Sequence, residues 1–236
     1  MKKYFSALPL FILAAFFCRC GETNHAPAAD NADSIKPVKI KYPLTKKPDS
    51  LLLLLEIAGQ DTHRVNIANG LIWQLNRNDP DSGIRLGRRN LALAEKLNFR
   101  SGVGRCMHNI AYAWMAKSDY DSAMKYVQGA IAIFDELKVP TMQSAGYNTL
   151  GSVYLETTKY DKALEAYLKV LRISEASNNS RGLISALNNC GLLYSETKKF
   201  DLAVSNFKRA IKVAEDSKDE RGKASSFINL GKVYGD

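Results

Sequence analysis

LNNCGLLYSETKKFDLAVSNFKRAI, residues 187–211, is the stretch that decides the fold of this chain. Small and aromatic residues stand in it at fixed places, and those places return every 40 residues along the chain. Four columns show the period: Ala111, Gly151, Gly191 and Gly231; Trp114, Tyr154, Tyr194 and Tyr234; Ala123, Ala163 and Ala203; and Val127, Tyr167 and Phe207. A fixed period of roughly 20–50 residues is typical of stacked supersecondary units, so the sequence predicts a solenoid.

Each 40-residue unit is predicted to contain two helices, helix A and helix B, joined by a tight turn. Leu187, Gly191 and Tyr194 share one stripe at helical spacing, and Ala203 and Phe207 begin a second stripe. An aspartate opens every helix B, where a negative charge stabilises the positive end of the helix dipole. These aspartates are Asp81, Asp121, Asp161 and Asp201. The predicted fold class is all-α, a right-handed solenoid of antiparallel helix pairs with about four and a half repeats.

The segments of the array differ in how well they keep the pattern. The first unit is degenerate, as expected of a repeat that caps a stack, and one short helix is predicted before it. The last unit repeats helix A without helix B, which predicts either an incomplete sequence or a neighbour over the open stripe. The predicted segments are a capping helix at 50–60 and an array at 61–236, divided into about 62–99 (degenerate), 100–139, 140–179, 180–219 and the half repeat 220–236.

The N-terminus has the composition of an export signal. Two lysines precede an uncharged apolar run, and a polar linker rich in Ala and Pro follows it. Residues 1–20 are therefore assigned to an export or lipoprotein signal, and residues 21–49 to a disordered linker. Cys20 and Cys18 are the candidates for lipidation, while the Ala-Pro-Ala at 26–28 leaves ordinary cleavage open. The chain is thus predicted to be exported, and either periplasmic or tethered to the membrane.

The net charge of +9 does not predict nucleic-acid binding. Residues 1–50 hold eight Lys or Arg and four acids, so they supply +4 of the total in about a fifth of the length. In the array the two signs alternate, as on a solvated helical surface. No nucleic-acid partner is predicted, and contact with a membrane is predicted only through the N-terminal signal or a lipid.

The sequence contains no residue set that would predict an enzyme, a cofactor or a metal site. It has no Gly-rich phosphate loop, no Ser/His/Asp set and no Cys/His cluster. Cys106 and Cys190 stand two units apart, too far for the roughly 6 Å between bridged Cα atoms, and are predicted to be buried thiols. Glu156 and Glu196 could form a glycosidase pair, but no other residue supports that chemistry.

The columns also carry a family resemblance. Gly-x-x-Tyr followed by Ala-x-x-x-Phe-x-x-Ala, as in Gly191, Tyr194, Ala203, Phe207 and Ala210, resembles the tetratricopeptide repeat, whose ordinary length is about 34 residues. The 40-residue unit is similar to the longer-helix class found in bacterial peptide-sensing regulators and eukaryotic cargo adaptors. With its exported leader, the chain resembles the sensor region of Bacteroidetes-type signalling proteins. The resemblance implies that helix A lines the concave face.

One polar column falls on helix A, off the packing stripe. An amide side chain can donate to and accept from the backbone of an extended peptide, so this column is a candidate peptide ladder, with charged and aromatic residues of the same face giving specificity. The alternative is that the column only bonds neighbouring helices. The ladder is Asn69, Asn109, Thr149, Asn189 and Asn229, with Asn148 and Asn188 beside it, and the specificity residues are Arg105, His108, Tyr112, Glu156 and Glu196.

The predicted function is a non-enzymatic scaffold of the bacterial cell envelope that binds an extended peptide or protein segment in its concave groove. The alternative is a truncated sensor region of a histidine kinase, cyclase or DNA-binding regulator, whose membrane span and output domain would lie beyond residue 236. A third reading is a self-assembling array, in which the half repeat docks on another copy of the chain.

Overall fold

The computed structural model describes residues 54–56 and 58–235 of the chain. The predicted signal, the predicted linker and the candidate lipidation residues Cys18 and Cys20 lie outside the described residues. Of the predicted capping helix, residues 54–56 are helical, and the backbone N–H of Ala58 donates to the carbonyl of Leu54 at 3.0 Å.

From residue 62 onward the described chain is a row of nine α-helices. They are α1 (Thr62–Leu75), α2 (Pro80–Lys96), α3 (Arg100–Ala116), α4 (Tyr120–Leu137), α5 (Pro140–Glu156), α6 (Tyr160–Ala176), α7 (Ser180–Glu196), α8 (Phe200–Asp216) and α9 (Glu220–Gly235). The odd-numbered helices are the helices A of the sequence pattern, and the even-numbered ones are the helices B. The predicted all-α solenoid of antiparallel helix pairs is confirmed.

The contacts between helices show which layer lies inside the curve. Every helix packs on its neighbours in sequence, and each helix A also packs on the next helix A: α1 on α3, α3 on α5, α5 on α7 and α7 on α9. In the described chain no helix B contacts the next helix B. Because the helices A are spaced more closely than the helices B, the array curves with its helices A on the concave side.

From α2 onward the links between helices share one feature, a left-handed residue, whether they lead from A to B or from B to A. Most helices after α1 have 17 residues, and each of α2 to α8 is followed by a non-glycine residue in the left-handed region, at a spacing of 20. At the α3–α4 link, Ser118 N–H donates to Met115 O at 2.8 Å and Asp119 N–H donates to Trp114 O at 3.0 Å. This is the Schellman closure of a helix end. The left-handed residues are Asn98, Ser118, Lys138, Thr158, Asn178, Lys198 and Lys218.

The helix starts explain the repeated acids. The carboxylates of Asp79 and Asp119 accept from the backbone N–H groups of Ser82 and Ser122, at 3.0 and 2.9 Å, and so cap α2 and α4. A second aspartate stands in the first turn of each helix B, as predicted, at Asp81, Asp121, Asp161 and Asp201. These acids stabilise helix ends.

The packing columns form the core. In the α5–α6 pair Tyr167 is 1% exposed, and its ring lies so close to Gly151 that a Cβ built there would collide with it. Phe207 stands in the same relation to Gly191 in the α7–α8 pair. The glycines in these two helices, each costing about 1 kcal/mol relative to alanine, are therefore explained by the aromatic rings that rest on them.

The degenerate first unit has a partly polar core. The amide of Asn90 donates to Val65 O at 3.0 Å and to Cys106 Sγ at 3.2 Å, while Asn76 donates to Asn109 O at 2.8 Å. Burial raises the pKa of the Cys106 thiol to about 12 and that of Cys190 to about 11, so both stay protonated at neutral pH. The prediction that both cysteines are buried and unpaired is confirmed.

Neither a membrane span nor a metal cluster is found among the described residues. None of the described helices is long and apolar enough to cross a bilayer. Nor do the described His, Cys, Asp and Glu side chains gather in threes at a spacing that could hold a metal ion.

Candidate functional site

Three recesses lie along the concave face. The first, about 530 Å³, is lined by α1, α3 and α5 with Phe134 of α4; the second, about 650 Å³, and the third, about 710 Å³, lie between α5 and α9. Thr141 and Ala145 line both the first and the second recess, while Arg181 and Ser185 line both the second and the third. Because they share walls, the recesses form one continuous groove across all five helices A.

At the α1–α3 end of the groove, the side chains of the polar column bond one helix to the next. The side-chain amide of Asn109 donates to the Oδ1 of Asn69 at 3.0 Å and to its backbone carbonyl at 3.1 Å. Asn69 is 2% exposed and Asn109 is 7% exposed. The pair therefore engages the Oδ1 of Asn69 and the side-chain amide of Asn109, while the Nδ2 of Asn69 is buried with no hydrogen-bond partner among the described residues.

Thr149, the next member of the column, pairs with a specificity residue and so joins α5 to α3. Nε2 of His108 lies 2.9 Å from Oγ1 of Thr149. Desolvation lowers the pKa of His108 to about 4, against a smaller raising effect of a hydrogen bond to the backbone at Ala145. The imidazole is therefore neutral at physiological pH, so His108 brings no positive charge to the groove.

The column also joins α5 to α7, and α7 to α9. Asn189 donates to Oδ1 of Asn148 at 2.9 Å, and Asn148 donates to Oγ of Ser185 at 2.6 Å. Asn188 is buried and donates to Oγ of Ser226 at 2.9 Å. The alternative prediction for the column was that it bonds neighbouring helices, and such bonds are present along most of its length.

Two members of the column keep free polar atoms in the groove. Asn189 and Asn229 both line the third recess. The amide of Asn229 has no hydrogen-bond partner among the described residues, and the Oδ1 of Asn189 is not used in its bond to Asn148. These two side chains can therefore donate to and accept from a bound backbone without disturbing the scaffold.

An aromatic pair marks the opposite end of the groove. The rings of Trp73 and Tyr112 lie 4.8 Å apart between centroids, and Trp73 is 47% exposed while lining the first recess. Arg105 lines the same recess and donates to Oδ1 of Asn66 at 3.0 Å. Of the predicted specificity residues, Arg105, His108 and Tyr112 therefore gather at this end.

Glu156 and Glu196 stand elsewhere. Each is the last residue of its helix, α5 or α7, and neither lines the three recesses. Glu156 instead accepts from the hydroxyl of Tyr120, at the start of α4, at 3.2 Å. The structure therefore does not bring these carboxylates together with the other predicted residues.

The groove residues that sequence reasoning missed include Trp73, Arg181 and Arg221. Trp73 could have been found by comparing the repeats, because the residues at the same place in the later units are small or aliphatic and buried. Those counterparts are Ala113, Val153 and Leu193. The two arginines gave no comparable signal, because exposed arginines are common on helix surfaces.

Comparisons with known proteins agree on the fold. Residues 142–216 match the tetratricopeptide repeat family. No curated protein sequence matches the chain. The chain does resemble solved structures in its fold, at 12–20% sequence identity for the three described next.

Three solved structures illustrate the likeness. Aspartyl phosphate phosphatase F from Bacillus subtilis superposes with a TM-score of 0.67 at 12% identity, over 76% of this chain and 47% of that one. BtubC from P. vanneervenii gives 0.64 at 20% identity, over 80% and 79%. A Rap protein complexed with Competence and Sporulation Factor gives 0.68 at 15% identity, over 80% and 59%. The chain thus spans about half the length of the first of these proteins, and it shares their tetratricopeptide-like helical fold.

Proposed function

We propose that the chain is a non-enzymatic scaffold that binds an extended peptide or protein segment along the concave groove. The observation that carries the proposal is the pair Asn189 and Asn229, whose free amide atoms line the third recess. Amide side chains in a groove can pair with the N–H and C=O groups of an extended backbone. The tetratricopeptide match and the helical solenoid fold support a role in protein binding.

The dimensions of the groove suit a short extended segment. Five helices A give four helix-to-helix spacings of about 9 Å, hence about 35 Å, which an extended chain rising about 3.3 Å per residue covers with about ten residues. The exposed ring of Trp73 would bury an apolar side chain of the ligand at one end. Asn189 and Asn229 would hold its backbone at the other.

A selection experiment tests this function. We expect a library of random twelve-residue peptides, selected on the 236-residue chain, to yield binders that fluorescence anisotropy shows to saturate. The double variant Asn189→Ala with Asn229→Ala should then bind the selected peptide about ten-fold or more weakly, because it loses the groups that meet the backbone. Asn206→Ala is the matched control, since Asn206 lies on α8 and bonds only Leu202 O within its own helix.

Two results would count against the proposed function. One is a selected peptide that binds the double variant and the native chain equally well. The other is a double variant whose melting curve collapses, which would assign Asn189 and Asn229 to the scaffold like the rest of the column.

We also propose that the scaffold is exported and tethered at the cell envelope through its N-terminus. The support is the sequence of residues 1–20, in which an apolar run ends at two cysteines. Labelling cells with a palmitate analogue should mark the native chain and the Cys18→Ser variant but not the Cys20→Ser variant. Equal labelling of both variants, or recovery of all the chain from the cytoplasmic fraction, would contradict this assignment.

A further inference from the structure

One hydrogen-bonded set of side chains joins two helices B, α4 and α6, across the helix A that lies between them. The hydroxyl of Tyr147, on α5, donates to Oδ2 of Asp135, on α4, at 2.6 Å. The amide of Gln143, one turn earlier on α5, donates to Oδ1 of the same carboxylate at 2.8 Å. From the other side, Nζ of Lys169, on α6, donates to the Tyr147 hydroxyl and lies 3.9 Å from the centroid of its ring. Both helices B are thus bonded to one phenol.

The polar atoms of this set satisfy one another. Both oxygens of the Asp135 carboxylate accept a hydrogen bond, and the Tyr147 hydroxyl donates one and accepts one. Burial, reinforced by the bond to Asp135, raises the pKa of Tyr147, so the hydroxyl keeps the proton that it donates at neutral pH. Tyr147 is 8% exposed, and bonds to charged groups in such surroundings are stronger than bonds between neutral groups.

The same three places are filled differently at the neighbouring joints, where a joint is the boundary between one 40-residue unit and the next. An acid stands at the first place in each of them, but a hydroxyl stands at the second place only between α4 and α6. The three residues are Glu95, Met107 and Gly129 between α2 and α4, and Glu175, Leu187 and Arg209 between α6 and α8. Methionine and leucine cannot donate to the acid. Among the described residues, the side chains of Glu175 and Arg209 have no hydrogen bond or ion pair.

The two layers of the array respond differently to bending. The helices A pack on each other, so their contacts can act as hinges. In the described part of the array the helices B leave a gap at each joint, and the width of that gap changes when one unit rotates on the next. A bond that spans the gap therefore restricts bending more than a bond at the hinge does.

We propose that Asp135, Tyr147 and Lys169 form a tie that holds α4 and α6 at one distance, and that the array bends at the joint between α6 and α8 instead. The groove then opens and closes about the α5–α7 contact, which carries α7 and α9 together relative to α1, α3 and α5. The tie lies on the helix B side of α5, away from the recesses, because none of its residues lines them. The inference does not depend on what the groove binds.

Spin-label distances across the two joints test the tie. Equivalent exposed places on α4, α6 and α8 are Lys125, Glu165 and Ser205. With labels on cysteines placed in pairs at these sites, we expect pulsed electron resonance to give a narrow distance distribution between α4 and α6. The distribution between α6 and α8 should be about two-fold broader, because that joint opens and closes.

The labels need a chain whose own cysteines do not react. Cys106 and Cys190 are buried and the pKa of each thiol is raised, so both stay unlabelled in the folded array. The pairs are therefore made in the 236-residue chain with Cys18→Ser and Cys20→Ser. They are Lys125→Cys with Glu165→Cys, and Glu165→Cys with Ser205→Cys.

Tyr147→Phe breaks the tie, because it keeps the ring and removes the hydroxyl. It should broaden the α4–α6 distribution about two-fold and leave the α6–α8 distribution unchanged. Lys169→Met releases α6 while the bond from Tyr147 to Asp135 remains, so it should broaden the same distribution. The matched control is Tyr126→Phe, which should change neither distribution, since Tyr126 is 5% exposed and its hydroxyl has no hydrogen-bond partner among the described residues. Melting curves check that each variant is folded.

Two outcomes would overturn the inference. One is an α6–α8 distribution as narrow as the α4–α6 distribution in the native background, because the array would then not bend where the tie is missing. The other is an α4–α6 distribution that stays narrow in both Tyr147→Phe and Lys169→Met, because packing alone would then hold that joint.

Discussion

The two ends of the groove use the same polar column in different ways. At the α1–α3 end the amides of Asn69 and Asn109 are buried and bonded to each other, and the groove wall beside them is aromatic. At the α7–α9 end Asn189 and Asn229 keep free polar atoms, and the wall is mostly polar, with serine, asparagine, arginine and Asp219. A side chain repeated at a fixed spacing can therefore hold the scaffold in one unit and face solvent in another, depending on what the next helix places opposite it.

Among substitutions in the polar column, Asn109→Ala should cause the largest loss of stability. The substitution removes two hydrogen bonds and leaves the Oδ1 of Asn69 buried without a donor, so we expect a loss of about 3 kcal/mol in the free energy of unfolding. Urea unfolding followed by circular dichroism measures it. A loss no greater than that of Asn229→Ala would remove the distinction between the two ends.

Lowering the pH should also destabilise the protein, by a smaller amount, through protonation of His108. Its folded pKa of about 4 lies below the unfolded value of about 6.5, so the unfolded chain binds the proton more readily and stability is lost as pH falls through this window. Between pH 7.5 and pH 5 this group should lower the free energy of unfolding by about 2 kcal/mol.

The control for that measurement is His108→Gln, which keeps polar atoms near Thr149 and removes the titration. Its stability should change much less between pH 7.5 and pH 5 than that of the native chain. An equal slope for both proteins would show that other groups carry the pH dependence.

Near the middle of the groove we expect an intermediate result. Asn148→Ala breaks the bonds to Ser185 and Asn189, but this site is only half-buried, so water can replace part of what is lost. The free energy of unfolding should fall by about 1 kcal/mol. A loss as large as that of Asn109→Ala would mean that the stability lost on removing a column side chain does not depend on how deeply that side chain is buried.

The smallest effect should be that of Asn229→Ala on stability. The side chain bonds no described residue, and surface substitutions of this kind usually change the free energy of unfolding by less than about 0.5 kcal/mol. Its effect should show instead in the affinity for a selected peptide. A loss of stability above about 1 kcal/mol would place Asn229 in the scaffold.

Much of the fold could be predicted because it depends on columns of side chains. The glycines at 151 and 191, the rings of Tyr167 and Phe207, and the aspartates that open each helix B are local or periodic features, and the structure contains all of them. The sequence did not predict that helices A and B have nearly equal lengths. Every link from α2 onward turns through a left-handed residue that is not glycine, so the usual mark of a helix end is missing.

The candidate site could be predicted only in part. The polar column was found, but which members are free depends on the residues that stacking brings opposite, such as Ser185 and Ser226. Helical spacing alone placed Glu156 and Glu196 on the face of Arg105. Their position at the last residue of each helix, beside the neighbouring helix start, follows from where the helices end and not from their period.

The uniform links limit how an array of this kind can be lengthened or shortened. Because the A-to-B and the B-to-A turns after α2 both pass through one left-handed residue, that residue does not distinguish which helix comes next, and the side chains have to. Removing one helix with its link, 20 residues in all, would leave a backbone that still turns correctly. It would, however, pack two helices A, or two helices B, against each other. Genetic gain or loss is therefore tolerated in pairs of helices, so that the 40-residue unit, and not the single helix, is the smallest step by which such a chain can change its length.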